Sequence, residues 1–317
     1  MSVSVGVTTF RCTLAARARA DEAFATAPPA RRFLLLEVPG PWGVPDAVAA
    51  AGLRADVADA VRHRAGAAGA RVLLVRRPGR HPAPAEGEPR RWAVVRLDAP
   101  GAPGGVTWGT WTGDDDLLAV DPAGSPPAGA ADGAARPLAL VCTHGRHDVC
   151  CAIEGRPVAA LAAADPRIDV WECSHLGGDR FAANLLWLPS GLLLGGVTTE
   201  TTAATLAAAL AGRVPLESYR GRCGDPAAAQ AAQWFVMREL GVDRPDLVVV
   251  ESLRAAPPVT DGAEPHMVAV VRQGDRRLRA EVAPHWTDPH RLTCRGPHGA
   301  QARTWRLVAL DALAAAS

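Results

Sequence analysis

The chain contains no lysine: all 34 of its basic side chains are arginine, against 33 acidic ones, for a net charge of +1. That balance excludes the broad positive field that nucleic acid or an anionic membrane would require, so neither is expected as a partner. The arginine-only usage reads as codon bias toward GC-rich codons rather than as a phosphate-binding device. No apolar run approaches the roughly 20 residues needed to cross a bilayer. The N-terminus, MSVSVGVTTFRCTLAARARADEAFATAPPARRF, lacks the continuous apolar core of a secretory signal, and a cytoplasmic location is the expectation. Cysteine is scarce as well, with seven residues in 317 at irregular spacing, which argues against a disulfide framework.

What cysteine there is gathers. CTHGRHDVCC, residues 142–151, holds three of the seven cysteines and two of the nine histidines. VWECSHLGGDRFAANLLW, 170–187, adds a fourth cysteine and a third histidine. Soft ligands concentrated in two short segments point to a metal or iron–sulfur site or to a reactive thiol pair.

Length suggests two or three domains, and composition separates three regions. In residues 1–120, RRFLLLEV (31–38), ARVLLVRR (70–77), RWAVVRLD (91–98) and GVTWGTWTG (105–113) read as strands. VPDAVAAAGLRADVADAVRHRAGAAG (44–69) reads as one or two helices, giving an N-terminal α/β region. DPAGSPPAGAADGAARP, 121–137, has linker composition. Residues 138–215 give strand PLALVCTH, helix CCAIEGRPVAALAAA, strand RIDVWECSH, a hairpin turning at Pro189-Ser190-Gly191, and helix TETTAATLAAALAGR with Thr199 or Thr201 able to cap its start. This β-α-β-β-β-α order suits a thioredoxin-like layer, and the first region shares part of it. Residues 216–317 read as α+β: a Gly-rich turn, YRGRCGD, then a helix and strands that include a hairpin at Gln273-Gly274-Asp275.

Both cysteine-bearing segments close a strand, where a backbone can bend around a metal. Thiolates are the usual iron–sulfur ligands, imidazole can replace them at one iron, and zinc accepts the same donors. Residues two apart on an extended segment point the same way, so Cys173 and His175 could face one centre together.

CTHGRHDVCCA together with SHLGGDRFAANLLWLPSG resembles the sucrase/ferredoxin-like family, strongly over about 138–215 and by order of elements over the flanks. The resemblance implies a thioredoxin-like ferredoxin domain with a [2Fe–2S] cluster held by mixed cysteine and histidine ligation. In fungal relatives two cysteines come from a C-x(n)-R-D-x-x-C stretch and two histidines from S-H-x-G-G-H. Here these positions fall on Cys142, Cys151 and His175, but the second histidine is replaced by Asp179. On ligand softness Cys173 is expected to substitute for it, giving a cofactor site of Cys142, Cys151, Cys173 and His175. Cys150 is expected to be a buried residue opening the helix. His144 and His147 are expected to make turn hydrogen bonds, and Cys12, Cys223 and Cys294 to be isolated structural thiols.

Three functions compete. The first is single-electron transfer between a reductase and an acceptor. The second is thiol–disulfide chemistry, although the vicinal Cys150-Cys151 pair lacks the usual C-x-x-C spacing. The third is a zinc-binding module. A sugar hydrolase would need two carboxylates across a sugar site, and no such pair stands out.

Overall fold

The computed structural model describes residues 10–79, 85, 87–98, 103–124, 131–132, 136–257 and 266–314. After a short helix, α1 (Cys12–Arg19), come β1 (Arg32–Glu37), α2 (Ala55–Ala67), β2 (Ala70–Arg76), β3 (Arg90–Arg96) and β4 (Gly105–Trp111). A two-residue strand, β5 (Ala131–Asp132), pairs with β4. The order then repeats as β6 (Leu138–Cys142), α3 (Val149–Ala162), β7 (Asp169–Cys173), β8 (Leu185–Leu188), β9 (Leu192–Leu194) and α4 (Thr202–Leu210). The chain finishes with β10 (Tyr219–Arg222), α5 (Ala227–Leu240), β11 (Val248–Ala256), β12 (His266–Gln273), β13 (Arg276–Trp286) and β14 (Arg303–Ala312).

The class is mixed α/β, as expected, with one sheet running through both of the first two regions. Its order is β10-β9-β8-β6-β7-β2-β1-β3-β4-β5. β1 and β2 are parallel, β3 is antiparallel to β1, and β4 is antiparallel to β3. The same relations join β6 with β7, β8 with β6, and β9 with β8. The two copies meet where β2 pairs antiparallel with β7, Val75 opposite Cys173 and Arg76 opposite Glu172. Equal pairing order on both sides of an antiparallel seam gives the sheet an approximate two-fold. The seam also removes an exposed edge from each half.

Along β6 the side chains alternate: Ala139 and Val141 enter one apolar core, and Leu138, Leu140 and Cys142 the other. The first core continues through Phe235 and Val236 of α5 into Ala269, Val271, Ala280 and Val282 of the separate β11-β12-β13-β14 meander. The C-terminal region is thereby packed onto the second half of the large sheet.

Some local expectations differ. Residues 44–54 form turns, with Gly52 at φ +78°, and the helix starts only at Ala55. Thr201 Oγ1 accepts from Thr198 N at 2.9 Å rather than capping the first turn of α4. YRGR is the strand β10, not a turn. Much of the 121–137 segment read as a linker, 125–130 and 133–135, lies outside the described residues.

Candidate metal centre

β6 and β7 run side by side and end together, Cys142 in register with Cys173. Cys142 N donates to Asn184 O at 3.0 Å, and Thr143 N donates to Cys173 O at 3.1 Å, which fixes both strand ends. The chain then turns into α3, whose N-cap Asp148 accepts from Cys150 N at 2.9 Å. α3 can lie close against the end of β6 because of Gly155, where a Cβ would sit 2.1 Å from Cys142 O. Cys151 stands one turn earlier on the same helical face and is brought to Cys142 by that approach. Gly155→Ala is therefore expected to push α3 off the strand. Thermal melting should show a clear loss of stability, and metal retention should fall with it, because a backbone carbonyl has little room to yield.

The second segment is held from outside its own half. Ser174 N donates to Leu74 O at 2.8 Å, and Ser174 Oγ accepts from Leu74 N at 3.0 Å. Arg71 of β2 donates to the carbonyls of His175 (2.5 Å) and Leu176 (3.1 Å). From the other side comes Arg220 of β10, which is 1% exposed. It donates to Gly177 O (2.8 Å), Asn184 Oδ1 (2.7 Å), Thr26 O (2.7 Å) and Thr26 Oγ1 (2.9 Å). Asn184 Nδ2 in turn donates to Gly178 O at 3.0 Å. Gly178 has φ +71°, and a Cβ there would meet Arg220 Nη2 at 2.4 Å, so both backbone and space require glycine.

The two segments bring Cys142, Cys151 and His175 together, one donor atom of each within 4.8 Å of the others. Asp179 touches this group and clusters with His147 and His175: Cys151 Sγ donates to its Oδ1 at 3.1 Å, and His175 Nδ1 lies 3.0 Å from the same oxygen. Cys173, the remaining residue of the expected set, is fully buried opposite Cys142 at the strand ends and, like Asp179, stands outside the three-residue grouping among the described residues. Extended geometry stops at Cys173, where β7 ends, so the alternation argument does not carry on to His175.

Cys142, Cys151, His175 and Asp179 perturb one another strongly. The Cys142 thiol is held well below its ordinary value, first by the hydrogen bond from Cys151, then by His175 against the cost of burial. Cys151 moves the opposite way, because it hydrogen-bonds to Cys142 and is buried. Burial opposes charge on His175, but the Asp179 carboxylate and the Cys142 sulfur raise its pKa to about 9. Burial likewise pushes Asp179 upward, yet His175 overcomes it and holds the carboxyl below its usual range. His175 Nδ1 is buried and has no aligned hydrogen-bond partner among the described residues, despite its nearness to Asp179. Two sulfurs, an imidazole with an unaligned buried nitrogen, and a carboxylate fit a thiophilic metal group.

The neighbours sort plainly. His147 stacks on His175 with ring centroids 3.7 Å apart, and its Nε2 lies 3.6 Å from Asp179 Oδ2. His175 and His147 side chains are 28% and 34% exposed, so this edge of the site reaches solvent. His144 is buried, with Nε2 3.3 Å from Trp42 O. Arg146 is exposed, and Trp171 is core, stacked on Trp108 at 5.4 Å. Cys223 is the structural thiol expected, its pKa pushed to about 11 by burial. Cys150 is buried as expected, but it faces away from this group, toward Cys12 and Cys294. Sequence reading missed Arg71, Arg220 and the stacking of His147; an arginine in a strand carries no mark of the distant loop it fastens.

Fold and site define a mixed α/β protein with a cluster of sulfur, imidazole and carboxylate groups at the ends of two parallel strands. The sequence profile of the sucrase/ferredoxin-like family matches residues 44–221, more than half of the chain, and the protein belongs to that family. Comparisons with curated proteins and with solved structures returned no match. Among the described residues no helix is long and apolar enough to cross a membrane.

Proposed function

We propose that this is a metal-binding [2Fe–2S] protein that carries single electrons between a reductase and an acceptor in the cytoplasm. The observation that supports it most is the convergence of Cys142, Cys151 and His175 at two strand ends, with Asp179 in hydrogen-bonding contact. A [2Fe–2S] cluster bound there supplies one-electron chemistry, at a higher potential than with four thiolates because imidazole is neutral.

The protein's own residues do the rest. Cys142 and Cys151 are the buried sulfur donors, and His175 is the donor nearest solvent. A ring exposed at that edge can exchange its remaining proton with water, which couples electron uptake to pH. His147 covers one face of that ring. Arg71 and Arg220 hold the His175 loop by its carbonyls and so fix the ring's position. Asp179 is the fourth donor in this reading; a carboxylate is harder than a thiolate and makes the weakest of the four bonds.

Anaerobic purification with iron and sulfide analysis tests the reading, with about two of each expected per chain. Protein that holds zinc at Cys142 and Cys151 and contains no sulfide overturns it. The fourth donor is tested separately. Asp179→Ala is expected to lose most of the iron, Asp179→His to keep it, and Cys173→Ala to keep it with some loss of stability from the cavity. Iron lost in Cys173→Ala but retained in Asp179→Ala reverses the assignment. His175→Cys is expected to keep iron, lower the midpoint potential and flatten its pH dependence, since the titrating ring is gone. Redox titration across pH reads this out, and an unchanged slope would count against His175 as a donor.

A further inference from the structure

Three further cysteines come together on the other side of α3. Cys12 opens α1, Cys150 stands in the first turn of α3, and Cys294 lies in the long connection between β13 and β14. One donor atom of each, together with a carboxylate oxygen of Asp148, all lie within 4.8 Å of one another. Cys150 Sγ is 3.5 Å from Cys294 Sγ, and Cys12 Sγ is 3.6 Å from each Asp148 oxygen. Cys12, Cys150 and Asp148 are buried, Cys294 is half-buried, and all three cysteines are free.

The vicinal pair makes two sites possible. Consecutive helical residues project about 100° apart, so Cys151 faces Cys142 and Asp179 while Cys150 faces α1 and the β13–β14 connection. A tetrahedral zinc ion with bonds of about 2.3 Å to sulfur sets its sulfurs about 3.8 Å apart. The Cys150–Cys294 separation of 3.5 Å is close to that and the remaining donor atoms lie within 4.8 Å, whereas three residues packed merely as apolar groups have no reason to gather around one buried carboxylate.

We propose that Cys12, Cys150 and Cys294, with Asp148 as an oxygen donor, form a second metal site, selective for a thiophilic divalent cation of the zinc type. The surroundings suit thiolate ligands. Arg11 Nε (3.2 Å) and Thr13 Oγ1 (3.3 Å) donate to Cys150 Sγ, and Cys12 N donates to Cys294 Sγ at 3.4 Å. Such donors to bound sulfur offset the excess negative charge of three thiolates and a carboxylate around a dication. Asp148 Oδ1 takes Cys150 N at 2.9 Å and Oδ2 takes Cys294 N at 2.7 Å, which orients the carboxylate and leaves lone pairs on both oxygens. The ion would fasten the N-terminal helix and the C-terminal connection to the helix that also carries Cys151. Its role is structural, closing a loop that runs from residue 12 to residue 294.

The test uses the full chain, purified anaerobically from zinc-supplemented medium, with metals counted per chain. About one zinc is expected beside the iron. Cys12→Ser and Cys294→Ser should each lose that zinc and keep the iron, while Cys142→Ser should lose the iron and keep the zinc. Because a cysteine variant can also fail to fold, the wild-type protein is stripped of zinc and titrated with Co2+. One equivalent should give thiolate-to-cobalt charge-transfer absorption and the intense visible bands of a tetrahedral ion. It should also protect Cys294 from alkylation. Zinc unchanged in both serine variants, no tetrahedral cobalt spectrum, or a disulfide among the three cysteines in anaerobic protein overturns the proposal.

Discussion

Cys151→Ser is expected to leave the protein without iron, whereas Cys150→Ser keeps it, although the two residues are adjacent. The reason lies in where one helical turn points. Cys151 Sγ reaches Asp179 Oδ1 at 3.1 Å and belongs with Cys142 and His175. Cys150 Sγ is turned to Thr13, Arg11 and Cys294. Serine at 151 removes a sulfur donor proposed for the site, and a hydroxyl is a poor substitute for thiolate toward a soft group. Serine at 150 removes a donor from the second site and should cost zinc, not iron. Iron, sulfide and zinc counted on the same two preparations decide it. Iron lost from Cys150→Ser and retained in Cys151→Ser would reverse the register of the loop and with it the assignment of both sites.

Arg220→Met is expected to destabilise the protein by about 3–5 kcal/mol and to lower iron retention as well. The side chain is buried, and its partners are neutral oxygens: two carbonyls, an amide and a hydroxyl. Burial accordingly draws its pKa down to about 10. Methionine fills much of the space but takes the arginine donors from four acceptors, of which Asn184 Oδ1 is fully buried and the others half-buried; a buried acceptor left unpaired costs about 1–3 kcal/mol, less than additively. Gly177 O is among them, and it sits two residues beyond His175, so the loss extends to the site. Chemical denaturation gives the stability change, and iron analysis of the folded fraction gives the second effect. A variant with unchanged midpoint and full iron would show that the arginine does not hold the loop.

Much of the scaffold follows from local sequence. Apolar runs of strand length became β1, β2, β3, β6 and β7, and the Pro189-Ser190-Gly191 turn joins β8 to β9. These succeeded because each run can be buried only as a strand between punctuating residues, a matter of a few neighbours. α1 gave no comparable signal: the one large apolar residue of CTLAARAR, Leu14, is exposed, and only Cys12, Thr13 and Ala16 are buried, by packing supplied from elsewhere.

For the site, the sequence by itself singled out the residues proposed to carry the chemistry. Cys142, Cys151 and His175 lie at strand ends and a helix start, positions that local pattern and family resemblance both mark. Tertiary structure decided how they are grouped. Softness favoured Cys173 over Asp179, but donor chemistry ranks ligands and does not place them. The loop after β7 turns away from the strand's alternation, and its course is set by Arg71 and Arg220, 104 and 43 residues from their carbonyl partners. The same holds for Cys12, Cys150 and Cys294. Cys12 and Cys294 read as isolated and Cys150 as a buried helix residue, because 282 residues separate the first from the last, and only the folding of both segments onto α3 brings one donor atom of each within 4.8 Å of the others.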